Sequence, residues 1–480
     1  MNVHDVSVHE LIAALRAIVG DKSVTTDAKA MAAYLDETRG LYRGVSPAVI
    51  KPANTQEVSE IVKLCAHAKM PLVVQGGNTG LVGGAVPDGA IVLSLERMNR
   101  IEAVDAANLT MTVEAGCILA NVQAAALEAG AYFPLSLGAE GSCQIGGNLS
   151  TNAGGVHVLR YGNARDLVLG LEVVLADGRV WNGLRNLRKD NTGYDLKALF
   201  LGAEGTLGII TRAVLRLYPQ PKARCVALAG CGSAADALAL FQSVRSRAAE
   251  VLSACEYLNR FSLDLAQKHI PGAKSPLEGR HEAYVLLEFA SADGDADLNA
   301  RMETVLAEAF EATQIEDAVI AQSGPQADAI WALREAVPEA QKHEGGSIKH
   351  DVSVPVSKVA QFLEEGAKLV ENRIPGARLC AFGHIGDGNI HFNLTQPEGA
   401  PSQAFLDLWL DTNRAVHDLV VSLNGSFSAE HGIGRLKREE MARLKDPVEL
   451  DLMRTLKHAL DPENILNPGK VLPLKTGAQE

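Results

Sequence analysis

The sequence predicts an α+β fold of two domains. At 480 residues the chain is too long for one compact core, and its length corresponds to roughly two to four domains. From Val49 short apolar strands alternate with helical segments, and from about residue 225 strands alternate with longer helices. The prolines of the segment YPQP at 218–221 are typical of a linker between these stretches. We therefore expect a first domain over residues 1–222, a second over 223–424, and a C-terminal segment over 425–480.

Apolar periodicity supports each element of the first domain. Leu11, Leu15 and Ile18 share one face of a helix within the first 45 residues. Asn54 or Thr55 is placed to cap the next helix, TQEVSEIVKLCAHA. The expected strands follow in the order AVIKP, PLVVQ, IVLSL, MTVEAG, LGLEVVLADG and IITRAVLRLYP.

The second domain contains the strands CVALAG and EAYVLLEFA and the helices ADALALFQSVRSRAAEVL and DADLNARMETVLAEAFE. The C-terminal segment contains a glycine cluster, a charged helix and the sequence DPENILNPGKVLP. Because this segment returns to the glycine-rich loops that characterise the first domain, we expect it to pack against that domain.

Composition excludes several classes of protein. Lys and Arg number 45 against 58 Asp and Glu, a formal net charge of −13 that opposes binding to nucleic acid or anionic lipid. Seven cysteines, none spaced as C-x-x-C, argue against a disulfide framework or a cysteine zinc site and suit a reducing compartment. The first twenty residues lack the features of a secretory signal, and no apolar run reaches the roughly 18 residues of a membrane span. We expect a cytoplasmic protein without an integral membrane segment, whose anionic substrate is attracted by local cations.

Three glycine-rich segments of the first domain predict a large ligand. They cover residues 76–80, 138–155 and 200–210. Glycines let successive backbone N–H groups converge on an anion, although neither G-x-G-x-x-G opening a helix nor G-x-x-x-x-G-K-[ST] is present. Any one segment is equally consistent with tight turns. Three in one domain favour a dinucleotide that lies across several loops.

In order and spacing these segments resemble the FAD-binding domain of the vanillyl-alcohol-oxidase-type flavoproteins over residues 46–220. The resemblance implies two α+β subdomains, with residues 76–80 at the pyrophosphate, 138–155 along the flavin and 204–210 near the adenine and ribose. The cofactor-binding residues that it implies are Gly76, Gly77, Asn78, Thr79, Gly80, Gly138, Ser142, Gly146, Gly147, Asn148, Thr151, Asn152, Gly154, Glu204, Gly208, Ile210 and Asn467.

The FAD is expected to be bound without a covalent link. Many relatives attach the flavin through a histidine of the pyrophosphate loop, where this chain has Asn78 and no histidine between residues 68 and 156. Cys143 remains a conceivable thioether site, but burial as a small apolar residue is the commoner role of such a cysteine.

Two histidines of the second domain predict a metal site. His384 and His391 flank Gly386-Asp387-Gly388, and the glycines disfavour a helix there. Asp-Gly is a favoured two-residue hairpin turn, and centring it on 387–388 would place His384 opposite His391 on one face.

Glu430, about forty residues later, would complete a set of two histidines and one glutamate. Three protein ligands and an open position are typical of catalytic Zn²⁺, and the ligand types alone leave Mn²⁺ and Fe²⁺ open. This set, followed by His431, resembles the C-terminal domain of FAD-linked D-2-hydroxyacid dehydrogenases of the D-2-hydroxyglutarate and D-lactate type. The resemblance implies that His384, His391 and Glu430 bind the metal, that His431 is the catalytic base, and that this α+β substrate (cap) domain has a mainly antiparallel sheet.

The same resemblance implies that Arg334, Lys349 and Asn393 bind the substrate. A guanidinium matches a carboxylate with two parallel donors, whereas an ammonium acts as a movable point charge. Relatives that prefer 2-hydroxyglutarate tend to carry a hydroxylated residue four positions after the arginine, and here that residue is Pro338. Lactate-like substrates therefore stay open beside the dicarboxylate.

We accordingly expect an FAD- and metal-dependent dehydrogenase that oxidises a D-2-hydroxy acid to the 2-oxo acid by hydride transfer to flavin N5. Electrons would pass to an electron-transferring flavoprotein, a quinone, a cytochrome or oxygen. A glycolate-oxidase-like FAD subunit, an inert electron-carrier subunit and a metal-dependent hydrolase are the alternatives. The sequence leaves the oligomeric state open, with a homodimer as one option.

Overall fold

A computed structural model describes residues 7–473 of the chain. The first six and the last seven residues of the expected domains lie outside this range. The helices, labelled α1 to α15, are Val8–Val19, Ala28–Leu35, Thr55–His67, Leu119–Glu128, Ile145–Ser150, Val158–Tyr161, Ala234–Ala248, Arg260–His269, Leu298–Glu311, Gly324–Ala340, Val359–Arg373, Ser402–Leu406, Trp409–Ser422, Arg438–Leu444 and Pro447–Leu460.

The strands, labelled β1 to β19, are Val24–Thr25, Val49–Ile50, Leu72–Gln75, Ile91–Ser94, Ile101–Asp105, Thr110–Glu114, Ala131–Tyr132, Val168–Val174, Val180–Gly183, Ile209–Arg216, Tyr218–Pro219, Ala223–Cys231, Leu252–Asn259, Ala283–Ser291, Asp317–Ile320, Ser347–Ile348, Asp351–Ser353, Arg378–His384 and Asn389–Thr395. Short 3₁₀ helices cover Asp21–Ser23, Leu196–Leu199, Gln341–Glu344 and Val356–Lys358.

The described chain forms two units, and the α+β class expected from the sequence is confirmed. Unit 1 comprises residues 7–154, 162–219 and 431–473, and unit 2 comprises residues 155–161 and 220–430. The chain therefore passes between the units at four peptide bonds.

Three of these crossings lie where the sequence did not predict a boundary. Residues 426–430 belong to unit 2 because Ser426 pairs with Ser353 and the Glu430 N–H donates to Asp351 Oδ2 over 2.9 Å. The short excursion 155–161 belongs to unit 2 because Arg160 donates to the carbonyl of Ala290 and His157 lies 3.5 Å from Glu288.

Unit 1 contains two main sheets. The first has the order β1-β2-β4-β3, with β2, β4 and β3 parallel, and α1 and α3 contribute to its apolar core. The second is antiparallel, with the order β5-β6-β10-β8-β9. Asn54 caps α3 by accepting the Glu57 N–H, as one of the two caps expected from the sequence.

The C-terminal segment pairs with β3, the edge strand of the first sheet of unit 1. Leu72 donates to the carbonyl of Ile465 and accepts from the N–H of Asn467, so this segment extends the parallel sheet. The buried ammonium of Lys470 donates to the carbonyl of Val86 over 2.7 Å. These bonds hold the last described residues against the glycine-rich loops that precede and follow Val86.

Unit 2 is built on one antiparallel sheet with the order β15-β12-β14-β13-β18-β19-β16, to which β17 adds by pairing with β19. Helices α7, α9, α11 and α13 cover one face, whereas α8 and α10 cover the other. Alternate residues of each strand point to opposite faces, so any two residues an even number apart along a strand share a face. His391 and Asn393 therefore share one face of β19.

The hairpin of β18 and β19 differs from the predicted one. His384 pairs with Asn389 and Phe382 pairs with His391, so residues 385–388 form a four-residue loop instead of a two-residue turn. The register is thus shifted by two positions. Because two is even, His384 and His391 still share one face, and their ring centroids are 6.0 Å apart.

Within residues 7–473, none of the helices combines the length and the apolar character that crossing a bilayer requires.

The hairpin loop predicts a measurable difference between two glycine substitutions. Gly388 (φ +86°) and Gly399 (φ +73°) are both left-handed, but only at Gly388 would a Cβ clash with a backbone carbonyl, that of Val354. Strain alone should cost about 1–2 kcal/mol in Gly399→Ala, and overpacking should add about 1–3 kcal/mol in Gly388→Ala. We expect the apparent melting temperature to fall further for Gly388→Ala. Equal falls would contradict the close approach.

Candidate cofactor and metal sites

Two glycine-rich segments of unit 1 meet backbone to backbone. A Cβ on Gly77 would clash with the carbonyl oxygen of Ser142, and one on Gly76 would lie 3.3 Å from Cβ of Gln144. By contrast, a Cβ added at Gly80, Gly138 or Gly147 would have no other heavy atom within 4 Å, so open space faces these three glycines. The loops after β3 and before α5 therefore form a cradle that side chains would fill.

Four buried amide oxygens of unit 1 fit a polar ligand in this cradle. The side-chain oxygens of Gln75, Gln144, Asn148 and Asn467 accept no hydrogen bond from the described residues. Buried polar atoms are almost always paired, so each such oxygen calls for a donor from a ligand or water. The N–H and hydroxyl donors of FAD are of that kind.

Other residues predicted to bind the cofactor use their side chains within unit 1. Asn78 donates to the carbonyls of Ala33 and Asp36 over 3.1 and 3.0 Å. Asn152 accepts the N–H of Arg165, and Thr151 donates to the carbonyl of Gly147. Ser142 donates to the carbonyl of Ala139 over 3.3 Å. A contact with the cofactor would therefore involve the backbone, or a further side-chain bond, of these four residues. Thr79 and Gly154 are half-buried in the same loops.

Gly208 and Ile210 pack inside unit 1. A Cβ on Gly208 would lie 2.6 Å from Val173, and Ile210 is buried in β10. Gly146 likewise lies against Ala115, where a Cβ would approach to 2.8 Å. Small size at 146 and 208 thus serves the packing of the loops as much as any ligand.

Asn467 and Glu204 lie together under the cradle. The Asn467 amide donates to the carbonyls of Glu204 and Gly84 over 2.7 and 3.1 Å. The carboxylate of Glu204 is buried and accepts from the N–H groups of Ile433 and Gly434. Burial raises the pKa of Glu204, and these two donors act against that rise.

The polar part of unit 2 lies on the sheet face that α10 covers. Glu256 of β13 is fully buried, and its carboxylate accepts from Arg334 Nε over 2.8 Å and from His384 Nδ1 over 2.6 Å. Burial works to raise the pKa of Glu256, but the charges of His384 and Arg334 outweigh it and lower the pKa to about 2. Burial works to lower the pKa of His384, and Glu256 outweighs it, raising the pKa to about 9. Because Nδ1 faces Glu256, Nε2 of His384 is the nitrogen left for a metal.

Both expected histidine ligands lie near the expected carboxylate ligand, each beside a different oxygen of Glu430. Nε2 of His384 lies 3.6 Å from Oε1 of Glu430, and Nε2 of His391 lies 3.7 Å from Oε2 of the same carboxylate. Two bonds of about 2.1 Å at a tetrahedral angle separate their donor atoms by about 3.4 Å, close to these distances. Burial and the neighbouring carboxylates Asp351 and Asp387 raise the pKa of Glu430 to about 7. Donor types, spacing and excess negative charge therefore fit a divalent cation.

Asp351 is a site residue that was not predicted from the sequence. Its Oδ1 lies 4.0 Å from Nδ1 of His391 and accepts from the amide of Asn389, while Oδ2 accepts from the Glu430 N–H. Ligand atoms of Asp351, His391 and Glu430 lie within 4.8 Å of one another. Asp351 thus aligns two of the expected ligands. Glu256 was missed as well, although a single charged residue within the apolar strand LSACEYLN is a recognisable signal of buried pairing.

Arg334 and Lys349 face a common region of this sheet. The Arg334 guanidinium lies 4.9 Å from the ring centroid of Phe382, and its bond to Glu256 uses Nε. Burial raises the pKa of the Cys380 thiol to about 11, and both Lys349 and Arg334 act electrostatically against this rise. Arg334 of α10 and Lys349, which follows β16, thus both act electrostatically on Cys380 of β18.

Asn393 belongs to a hydrogen-bonded chain that ties α10 to β19. Its amide donates to Oε1 of Gln341 over 3.1 Å and accepts from the N–H of His350 over 3.3 Å. Gln341 in turn donates to the hydroxyl of Thr395. Asn393 is buried and keeps one amide hydrogen beyond these bonds, so its role toward a substrate stays a prediction.

His431 follows Glu430 directly in the chain and is the first residue of the C-terminal part of unit 1. The expected base and the expected carboxylate ligand are thus consecutive residues.

Comparisons with known proteins identify two family domains in this chain. A family model described as the C-terminal domain of FAD linked oxidases matches residues 220–471, and one described as an FAD binding domain matches residues 46–183. The probable D-2-hydroxyglutarate dehydrogenase of Oryza sativa subsp. indica is 40% identical over 461 residues, which cover 95% of this chain and 81% of that protein. The D-2-hydroxyglutarate dehydrogenase of Danio rerio is 40% identical over 463 residues, covering 95% and 84%.

Among solved structures, p-cresol methylhydroxylase with substrate bound is similar in fold. The TM-score is 0.78 at 16% identity, and the match covers 98% of each chain. The fold is therefore that of the vanillyl-alcohol-oxidase-type flavoproteins, as the glycine-rich segments predicted.

The cytoplasmic location expected from the sequence was wrong. Both D-2-hydroxyglutarate dehydrogenases above are named as mitochondrial proteins. The expectation rested on the lack of secretory features near residue 1, and such features do not distinguish the cytoplasm from other compartments.

Buried carboxylates of unit 2 predict a loss of stability in acid. Burial works to raise the pKa of Glu288, but His157 and Arg224 outweigh it and lower the pKa to about 2, as in Glu256. Because these folded-state pKa values lie below the ordinary 4.5, each carboxylate stabilises the protein fully above about pH 4.5 and progressively less towards pH 2. Glu288→Gln should therefore flatten the fall of melting temperature between pH 4.5 and 2. The exposed Glu282→Gln is the control, and an unchanged slope in Glu288→Gln would contradict the assignment.

Proposed function

The chain belongs to the family of FAD-linked D-2-hydroxyacid dehydrogenases and is an FAD-dependent oxidoreductase acting on a 2-hydroxy acid, and we propose that it oxidises a D-2-hydroxy acid in a metal-dependent reaction. The proposed substrate is D-2-hydroxyglutarate or a D-lactate-like acid, and the product is the 2-oxo acid. The observation that carries the proposal is that His384 and His391 each lie beside an oxygen of Glu430, on the sheet face that α10 with its Arg334 covers.

We propose that His384, His391 and Glu430 hold Zn²⁺, with Mn²⁺ or Fe²⁺ as alternatives. The carboxylate of Glu256 fixes the tautomer of His384, and Asp351 aligns His391 and Glu430. A metal held there would supply Lewis acidity toward the substrate's 2-hydroxyl group, and FAD would supply the hydride acceptor at N5.

The side chains of the protein would bind the substrate and move its proton. Arg334, already oriented by Glu256 through Nε, presents its remaining donors to a carboxylate, and Lys349 adds a second positive charge. Asn393 is proposed to donate its remaining amide hydrogen. His431 is proposed to take the proton of the 2-hydroxyl group at an imidazole nitrogen.

A non-covalent flavin is part of the proposal. Asn78 stands in the loop where many relatives carry the attaching histidine. Cys143 is buried, and burial raises the pKa of its thiol, so the reactive thiolate is disfavoured. Acid precipitation should release yellow FAD into the supernatant, and flavin left on the pellet would count against this.

Two other classes account for fewer of these features. A metal-dependent hydrolase would not need the FAD-binding domain, and an inert FAD subunit would leave the metal-ligand set without a role. The electron acceptor proposed here is an electron-transferring flavoprotein, a quinone or a cytochrome.

Anaerobic single-turnover reduction tests the reaction. We expect D-2-hydroxy acids to bleach the bound flavin and their L-enantiomers to do so at least tenfold more slowly. EDTA treatment should abolish bleaching, and added Zn²⁺, Mn²⁺ or Fe²⁺ should restore it. His431→Ala should slow reduction by about 10²- to 10⁴-fold, as loss of a general base does. The exposed His458→Ala is the matched control, and wild-type reduction by His431→Ala would refute the base.

Pro338 allows a test of the substrate's length. It lies one turn after Arg334 in α10, and it offers neither a hydroxyl group nor a backbone N–H. Pro338→Thr adds both donors, whereas Pro338→Ala adds the N–H alone. If position 338 lies near a distal carboxylate, one added hydrogen bond of about 1–1.5 kcal/mol should lower KM for D-2-hydroxyglutarate roughly tenfold in Pro338→Thr only. A matching fall for D-lactate would show that the hydroxyl group does not read the distal carboxylate.

A further inference from the structure

We propose that Glu204 is a positioning residue for the reaction: its carboxylate holds the loop that begins with His431 and thereby orients the proton-accepting imidazole. The inference rests on the role proposed above for His431. It gives Glu204 a function in addition to the contact with FAD that the family resemblance implies.

The carboxylate of Glu204 accepts hydrogen bonds from two consecutive backbone N–H groups. Oε1 accepts the N–H of Ile433 over 2.7 Å, and Oε2 accepts the N–H of Gly434 over 2.8 Å. Ile433 and Gly434 are the second and third residues after His431. They follow Glu204 by about 230 positions in the sequence. Two charge-assisted bonds to adjacent amides fix both the position and the direction of a short loop.

The backbone of Glu204 is itself held in place. Its N–H donates to the carbonyl of Ser150 at the end of α5 over 2.7 Å, and its carbonyl accepts from the Asn467 amide over 2.7 Å. Its φ of +52° is rare for a residue with a side chain and persists only where neighbouring groups enforce it. Glu204 therefore connects the flavin-lining stretch to the loop after His431 through rigid bonds.

The loop is also confined from the opposite side. The N–H groups of Arg435 and Leu436 both donate to the carbonyl of Val82, over 2.9 and 3.1 Å. A Cβ on Gly432 would lie 2.7 Å from Oε1 of Glu204, and one on Gly434 would clash with the carbonyl of Val82. Residues 432–436 thus lie between Glu204 and Val82 with no room for side chains at the two glycines.

Negative charge on Glu204 is needed for both bonds. A glutamine at this position has one oxygen acceptor, and its NH₂ group would face the second backbone N–H donor. Lys470 and Lys437 supply the positive potential that favours the ionised carboxylate in this buried setting. Glu204→Gln therefore releases one of the two peptide groups and leaves the volume of the side chain unchanged.

A double-mutant cycle with His431 tests the proposal on the FAD-loaded protein. The variants are Glu204→Gln, His431→Ala and the double variant, and the readouts are FAD content, the Kd for substrate and the limiting rate of flavin reduction. We expect Glu204→Gln to retain FAD and substrate affinity and to lower the limiting rate roughly 10- to 100-fold, the effect of displacing a reacting group by about 1 Å. The double variant should reduce no more slowly than His431→Ala, because Glu204 acts through that imidazole.

Several results would overturn the proposal. The first is a double variant whose limiting rate falls by the product of the two single-variant effects. The others are a wild-type limiting rate in Glu204→Gln, or a loss of FAD content in Glu204→Gln with no change in that rate. If the flavin of His431→Ala is reduced at the wild-type rate, His431 is not the base. That result refutes the proposed function of His431 and is distinct from the results that refute the role of Glu204.

Two further variants keep the test decisive if Glu204→Gln folds poorly. Gly432→Ala pushes the loop away from Glu204 without altering the carboxylate, and it should show the same rate loss and the same non-additivity with His431→Ala. Glu172→Gln is the matched control, since Glu172 is a buried carboxylate of unit 1 whose bonds go to Thr55 and Thr211. A comparable fall of the reduction rate in Glu172→Gln would overturn the specific role of Glu204.

Discussion

The carboxylate of Glu256 is the interaction on which the unit 2 site depends. It is fully buried, and it joins Arg334 of α10 to His384 of β18 across β13. Removing one member of such a buried ionic group leaves an uncompensated charge, which costs far more than the group contributes as a whole. Arg334, the proposed substrate-binding cation, and His384, a proposed metal ligand, therefore take their positions from the two oxygens of a single side chain. Their relative geometry is set by a carboxylate and not by two independent loops.

The sequence predicted which residues meet in this site better than it predicted how they meet. His384 and His391 share a face if the true register differs from the predicted one by an even number of residues. The observed difference is two residues, so the two histidines still share a face. The loop has four residues because Gly388 accepts the N–H of Val354 and Asn389 donates to Val352, contacts to β17 that no local turn preference contains. Glu256 lies 128 positions from His384, so its partner was not predictable without the sheet order.

In unit 1 the glycine-rich segments lie where backbones approach one another, because at Gly77 a side chain would clash with the carbonyl of Ser142. They did not predict which polar atoms stay unpaired, since Asn467 reaches the loops of unit 1 only because the C-terminal segment pairs beside β3. The domain limits erred for a similar reason. Residues 426–430 look like the start of a glycine-rich tail, but their bonds to Ser353 and Asp351 join them to the unit 2 sheet.

The passage of the chain from Glu430 to His431 has a mechanical consequence. Glu430 is tied to unit 2 by the bond from its N–H to Asp351, and Ile433 and Gly434 are tied to unit 1 by Glu204. Between these anchors stand only His431 and Gly432, the latter with φ +78°. Consecutive Cα atoms stay about 3.8 Å apart, so the proposed metal ligand and the proposed base are separated by one fixed Cα–Cα step. A small shift of either anchor, Asp351 or Glu204, therefore reaches the proposed base through no more than two residues.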